Sequence, residues 1–212
     1  MFKTKAGIAA LLSLALAGCS TDGQVTNEGI RVTRSACPAV AIPAGTGDIT
    51  LFNPANSTDA NAIDVVATIT NLRSTCDESG DYVVSTATFE IQAQRRSPVG
   101  ARQVVLPYFA TVVQGGNNVV SKRVSRVGLQ FADGQLRAST RGTATGQILR
   151  AAATLPPAVR AQVTRRRAPG DASAAIDPLA DPAVRAAVTR ASFELLVGFQ
   201  LTQEQLRYNV TR

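Results

Sequence analysis

The sequence predicts a mainly β protein, an antiparallel β-sandwich of immunoglobulin-like type with a short α-helical insertion near residues 156–191. Three observations carry this. Between residues 48 and 149 apolar residues recur at every second position in a series of short runs, the period of a half-buried strand. The runs are separated by Asn, Asp, Gly and Pro clusters that mark turns. From Pro156 the spacing changes to that of a helix, and strand periodicity returns only at Phe193.

The chain opens differently. Lys3 and Lys5 flank a basic start, Ala6 to Ala15 is an Ala/Leu-rich apolar run, and Leu16-Ala17-Gly18 leads into Cys19. The run is too short to span a hydrocarbon layer of about 30 Å as a helix. The pattern resembles the signal of bacterial lipoproteins. That resemblance implies that residues 1–18 are removed as a signal peptide and that Cys19 carries diacylglycerol on its thiol and an acyl chain on its amino group. Each buried methylene adds about 0.8 kcal/mol, and stable anchoring needs more than one chain. Several chains on one residue meet that need. Ser20 follows Cys19, where Asp is the inner-membrane retention signal of such lipoproteins, so the expected location is the periplasmic face of the outer membrane. A secretory signal with an incidental cysteine is the alternative. Beyond Cys19 the chain resembles, in composition only, uncharacterised outer-membrane lipoproteins of GC-rich alphaproteobacteria. That resemblance supplies no catalytic residues.

Residues 19–36 read as a lipidated polar tether, because Ser20 to Arg34 holds few apolar residues. The folded domain is expected over 37–212. Of the 212 residues, 194 remain after position 18, enough for one domain with a real core. The 22 basic residues less Lys3 and Lys5, against 15 acidic ones, leave the mature chain at +5. Nearly all of that positive charge is Arg; Lys122 is the one Lys after Cys19. An Arg-rich surface suits an acidic protein or an anionic lipid face, and a GC-rich genome produces the same bias. No nucleic-acid recognition motif is present, and none is expected in the periplasm.

Cys37 and Cys76 remain as a pair in an oxidising compartment, which predicts a disulfide, with free thiols as the alternative. Closing a loop of roughly 40 residues is worth about 4 kcal/mol in the chain-entropy picture.

Asp48 to Phe52 predicts a first strand, ended by Asn53-Pro54, and Asn56 to Asn61 a polar loop. Ile63, Val65, Ala67 and Ile69 alternate with polar neighbours, as do Val83, Ala87, Phe89, Ile91 and Ala93; Asp77 to Asp81 turns one into the other. Arg95-Arg96 is expected as solvated charge at a strand end. Gln103 to Val113 and Val119 to Phe131 form a hairpin through Gln114-Gly115-Gly116-Asn117-Asn118, with Pro107 marking an edge or a bulge. Asp133-Gly134 turns the chain into a Thr/Gly-rich strand to Leu149. Val159 and Val163 stand at helical spacing, and Asp181-Pro182 is an N-cap and first-turn pair ahead of Val184, Ala187, Val188 and Ala191. Phe193 to Leu201 is a core strand, with strand addition to a partner as its second reading. Thr202 to Gln205 is expected as a tight connection into a last strand, Leu206 to Thr211. Tyr208 beside this corner resembles the tyrosine corner of immunoglobulin-like sandwiches.

The chain contains no His. Ser-His-Asp and Cys-His catalysis and His-based zinc sites are thereby excluded. A Ser–Lys pair would need Lys122, which stands with Arg123 and Arg126 in a strand and has no Ser-x-x-Lys before it; it reads as a solvated strand-face lysine. Paired carboxylates remain possible by count, but sugar hydrolysis usually uses aromatic platforms, and there is no Trp and only three Tyr. Asp77-x-Ser79-x-Asp81 spaces oxygen ligands like the start of a calcium loop whose remainder is missing, and it is also ordinary turn chemistry. No phosphate loop of recognised spacing occurs. Catalytic residues, metal and cofactor are all expected to be absent, apart from the covalent lipid on Cys19. Arg165-Arg166-Arg167 is the candidate partner contact: it ends a short helix where positive charge suits the helix dipole, and it reads either as a solvated run or as a docking patch. The expected function is a non-catalytic outer-membrane lipoprotein that serves as accessory or scaffold subunit of an envelope assembly. A periplasmic module for peptidoglycan, lipid or glycan is the alternative.

Overall fold

The computed structural model describes residues 23–26, 29–32, 35–165, 170 and 172–211. Its body is a sandwich of two four-stranded sheets. In chain order, β1 (Gly23–Thr26) and β2 (Gly29–Val32) pair with each other inside the stretch expected as a tether, where Val25, Ile30 and Val32 supply β-branched residues. Then come β3 (Ala39–Ala41), β4 (Asp48–Phe52), β5 (Ile63–Asp77), β6 (Tyr82–Arg95), β7 (Arg102–Gln114), β8 (Asn118–Phe131), β9 (Arg137–Leu149) and β10 (Phe193–Phe199). The first sheet runs β3-β10-β7-β8 and the second β4-β5-β6-β9. Every pairing within the two sheets is antiparallel except β3 with β10, which run parallel over three residues.

The core is the alternation made solid. Val83, Ala87, Phe89, Ile91 and Ala93 of β6 point inward with Val65, Ala67 and Ile69 of β5. They meet Leu106, Tyr108 and Val112 of β7 and Leu195, Val197 and Phe199 of β10. The inward positions of β9 are small for a reason. A Cβ on Gly142 would sit 2.4 Å from the Phe89 ring, and one on Gly146 would sit 2.8 Å from Val112 Cγ2. The Thr/Gly composition of β9 therefore makes room for Phe89 of the neighbouring strand β6 and for Val112 and Leu195 of the facing sheet. Tyr108 meets Phe89 edge-to-face at 5.3 Å, and its hydroxyl donates to Thr143 O across the sandwich at 2.8 Å.

Pro107 marks neither a sheet edge nor the bulge. β7 is an interior strand, and its register shifts between Val112 and Val113. Pro107 lies one residue past the end of β10, where Gln200 N–H donates to Pro107 O at 2.9 Å. The missing N–H of proline faces that same side, beyond the last β10 pair, and so interrupts no ladder.

The helical insertion begins six residues earlier than expected. It comprises α1 (Arg150–Ala153), α2 (Pro157–Val163) and α3 (Pro182–Ala191). Asp181 caps α3 by accepting from Ala183 N–H at 2.8 Å, with Pro182 in the first turn. The insertion has a small core of its own, Leu155, Val184 and Val188, flanked by Val159, Val163, Leu179 and Ala191. Gln114 Nε2 donates to Arg190 O at 2.7 Å and Gly115 N–H to Ser192 O at 2.9 Å, which fastens it to the β7–β8 turn.

The C-terminus corrects the sequence expectation outright. Leu206 to Thr211 belongs to a helix, α4 (Gln203–Thr211), not to a strand. Gln205 N–H donates to Thr202 Oγ1 and Thr202 N–H donates to Gln205 Oε1, a reciprocal capping box that starts the helix. Tyr208 consequently lies on a helix rather than at the start of a strand, and its ring stands edge-to-face on Phe52 at 5.1 Å. Asn209 Nδ2 donates to Gly45 O and Asp48 O, both at 2.8 Å, and ties α4 to the start of β4.

Among the described residues, one ion pair joins the two sheets. Arg102 of β7 grips Asp64 of β5 in two parallel contacts of 2.8 and 2.6 Å. The Arg102 guanidinium holds the Asp64 carboxyl below the ordinary carboxylate range, against a smaller opposing effect of burial. A lowered folded pKa means that the pair stabilises fully above the unfolded value of about 3.9 and is lost as pH falls through the folded value. Arg102 is nearly half exposed, so solvent screening keeps the effect to about 0.5–1 kcal/mol. Arg102→Met is expected to lower the melting temperature slightly at pH 7, and the gap to wild type is expected to close as pH falls through the lowered pKa of Asp64. A gap that persisted unchanged on acidification would assign the effect to packing instead.

Candidate functional sites

Among the described residues, three regions carry the side chains that the sequence marks for chemistry or contact. The first is the end of the sandwich where the N-terminal segment joins it. Cys37 and Cys76 form a disulfide with Cα atoms 6.0 Å apart. It links the residues before β3 in one sheet to the end of β5 in the other. Ser35 Oγ donates to Glu78 Oε1, and Arg150 Nη1 donates to Glu78 O at 3.2 Å. A half-open cleft of about 750 Å³ lies here, bordered by Glu78, Arg150, Leu155, Arg160, Phe193 and Glu194 among others. Among the described residues that line it, the charged groups are two Arg and two Glu. The cluster of Cys37, Cys76 and Glu78 brings metal-ligand atom types together, but the S–S bond takes both thiolates and leaves one carboxylate.

The Asp77 to Asp81 stretch is a turn. Asp77 Oδ1 accepts from Ser79 N–H at 2.9 Å, and that bond holds the Asp77 carboxyl below its ordinary range. Asp81 O accepts from Arg150 N–H at 2.9 Å. The Asp77 carboxylate is thus engaged by its own backbone.

The second region is the helical insertion. Arg165 borders a shallow hollow of about 290 Å³ with Gln162, Ile176, Asp177 and Asp181. Asp177 and Asp181 each cap a helical segment through Oδ1, to Leu179 N–H and Ala183 N–H. Arg165 therefore lies beside the insertion's own carboxylates. Arg166 and Arg167 fall outside the described residues, as does Cys19.

The third region is β8. Asn118 to Arg126 is exposed on both faces of the strand, with Val119, Val120 and Val124 each more than half exposed. Lys122 is exposed as expected, and its Nζ stands 5.2 Å above the Phe109 ring. β10, the strand first considered for partner addition, is interior: β3 and β7 flank it. The edge strands of that sheet are the three-residue β3 and the long β8.

Arg95 is the largest departure from expectation. It is 3% exposed. Its guanidinium donates to Gln135 O, Gly100 O and Pro98 O at 2.7 Å and to Ala132 O at 2.9 Å, over the Phe131 ring at 5.2 Å. It is a structural clamp on the two loops that flank β7 and β8. Parity gives the signal: Arg95 stands two residues after Ala93, on the inward face of β6, whereas Arg96 points out. No protein family, curated protein or solved structure matches the chain.

Proposed function

We propose that this chain is a lipid-anchored accessory subunit on the periplasmic face of the outer membrane, acting through protein–protein contacts. The observation that carries the proposal is Leu16-Ala17-Gly18-Cys19 after a basic start and a short apolar run. On the domain side, the exposed valines of β8 support it. All three lie in Asn118 to Arg126, the part of the strand that is exposed throughout. Among the described residues no helix is long and apolar enough to cross a membrane.

The test is metabolic labelling with a palmitate analogue, membrane fractionation and mild-detergent capture of the tagged full-length protein, with Cys19→Ala as control. Wild type is expected to take up label, to fractionate with the outer membrane and to recover a defined envelope protein near stoichiometric yield. The variant is expected to lose label and membrane and to recover much less. Wild type without label, or returning alone, would overturn the proposal. The cleft beside Phe193 favours the second reading, a module for peptidoglycan, lipid or glycan, because its volume suits a small ligand. A rise in melting temperature with soluble peptidoglycan fragments would support it.

A further inference from the structure

We propose that the open edge of β8, from Lys122 to Arg126, receives an extended acidic segment of a partner protein as an added strand. The proposal rests on the accessory-subunit reading and names the docking edge and the chemistry of what docks.

The backbone parity fixes which groups are open. Gln200 N–H donates to Pro107 O, so the polar groups of Pro107 face away from β8. Arg126 is its cross-strand partner on β8, and in an antiparallel pair of this kind both residues face away from each other. The N–H and C=O of Arg126 therefore point to the outer edge. With a period of two, those of Val124 and Lys122, opposite Phe109 and Thr111, point there as well. Among the described residues β8 pairs with β7 alone, so these backbone groups form a row without a strand partner.

The same parity places the side chains of Lys122, Val124 and Arg126 on one face, with Phe109 beside Lys122. β8 contains Lys122, Arg123 and Arg126 and no acidic residue. An added strand best matches this face with acidic, apolar and acidic residues at every second position, because opposite charges across a ladder stabilise and like charges destabilise. A second copy of this chain fits poorly: antiparallel pairing about Val124 sets Lys122 against Arg126 twice. The charges that block self-pairing thus select an acidic strand.

Val124→Pro removes one outward N–H and leaves every β7–β8 bond in place, because the Val124 N–H does not face β7. The experiment captures the tagged full-length protein in mild detergent as wild type, Val124→Pro and Lys122→Glu/Arg126→Glu, and follows hydrogen exchange of residues 118–128. A synthetic alternating Glu/Val peptide and its Lys/Val counterpart are added separately to the wild-type protein. Expected are a loss of partner of at least tenfold in both variants at unchanged melting temperature, and slowed exchange in 118–128 with the partner and with the Glu/Val peptide only. A partner retained by both variants, with exchange in 118–128 unchanged, sinks the edge proposal and leaves the accessory reading standing. No partner for wild type removes the accessory reading, and the peptide titration then decides the edge alone: no saturable slowing with Glu/Val overturns it. A dimer lost in Val124→Pro, or protection by anionic vesicles in place of peptide, assigns the edge to another occupant and also overturns it.

Discussion

Arg95→Met is expected to cost about 3–5 kcal/mol of domain stability, the range for removing one member of a buried charge-bearing network. The side chain supplies four hydrogen bonds to carbonyls, and bonds from a charged donor are worth more than neutral ones. Methionine fills much of the volume but donates nothing, so Gln135 O, Gly100 O and Ala132 O lose the donor that draws their loops together. For a domain of this size the shift is about 10 °C in melting temperature. Arg95→Lys keeps the charge but has no planar fork to reach carbonyls on two loops, and it is expected to recover less than half of the loss. Arg96→Met, on the outward side, is the matched control and should change little. Thermal unfolding of the three variants decides the matter. An Arg95→Met protein within about 3 °C of wild type, where roughly 10 °C is expected, would show that the two loops hold without the clamp.

Removal of the disulfide by Cys37→Ala/Cys76→Ala is expected to cost about 4 kcal/mol, the loop-closure value for the separation of 39 residues. A local effect accompanies the global one. β3 is a three-residue edge strand that meets β10 in parallel and is tethered on its N-terminal side by Cys37. Without the bond, the unfolding free energy of β3 should fall towards that of a frayed edge. The measurement is denaturant unfolding combined with hydrogen exchange of 39–41 and 194–196, with and without reductant. Equal midpoints in both states would refute the staple. Loss of global stability without faster exchange at β3 would place the effect in the unfolded chain alone.

These two expectations show where the alternation of residue types was informative and where it stopped. The run from Val83 to Ala93 specified β6, its inward face and its neighbours, because only one phase of a period-two pattern buries the apolar set. The same phase puts Arg95 inside, against the ordinary expectation that a terminal arginine is solvated. What made burial tolerable, the four carbonyls of residues 98, 100, 132 and 135, comes from parts of the chain that no local pattern connects to it. At the C-terminus a capping box was already written in Thr202 and Gln205, but Leu206, Tyr208 and Val210 alternate like a strand. The local cap and the bonds from Asn209 to Gly45 and Asp48 decide for the helix.

The sequence by itself determined the β-sandwich class, the pairing of Cys37 with Cys76, the capped helix from Pro182 and the absence of any histidine-based chemistry. Each follows from residue identity or from a pattern within one segment. Only the tertiary structure decided which strands are edges, which arginines are buried and which backbone groups are left open along β8. Edge and interior are properties of sheet order, and sheet order is set by packing between segments far apart in the chain. β10 has the apolar pattern that first suggested a partner strand, yet that pattern is what drives it to the centre of its sheet. β8, with the weaker pattern and the positive charges, is left at the rim.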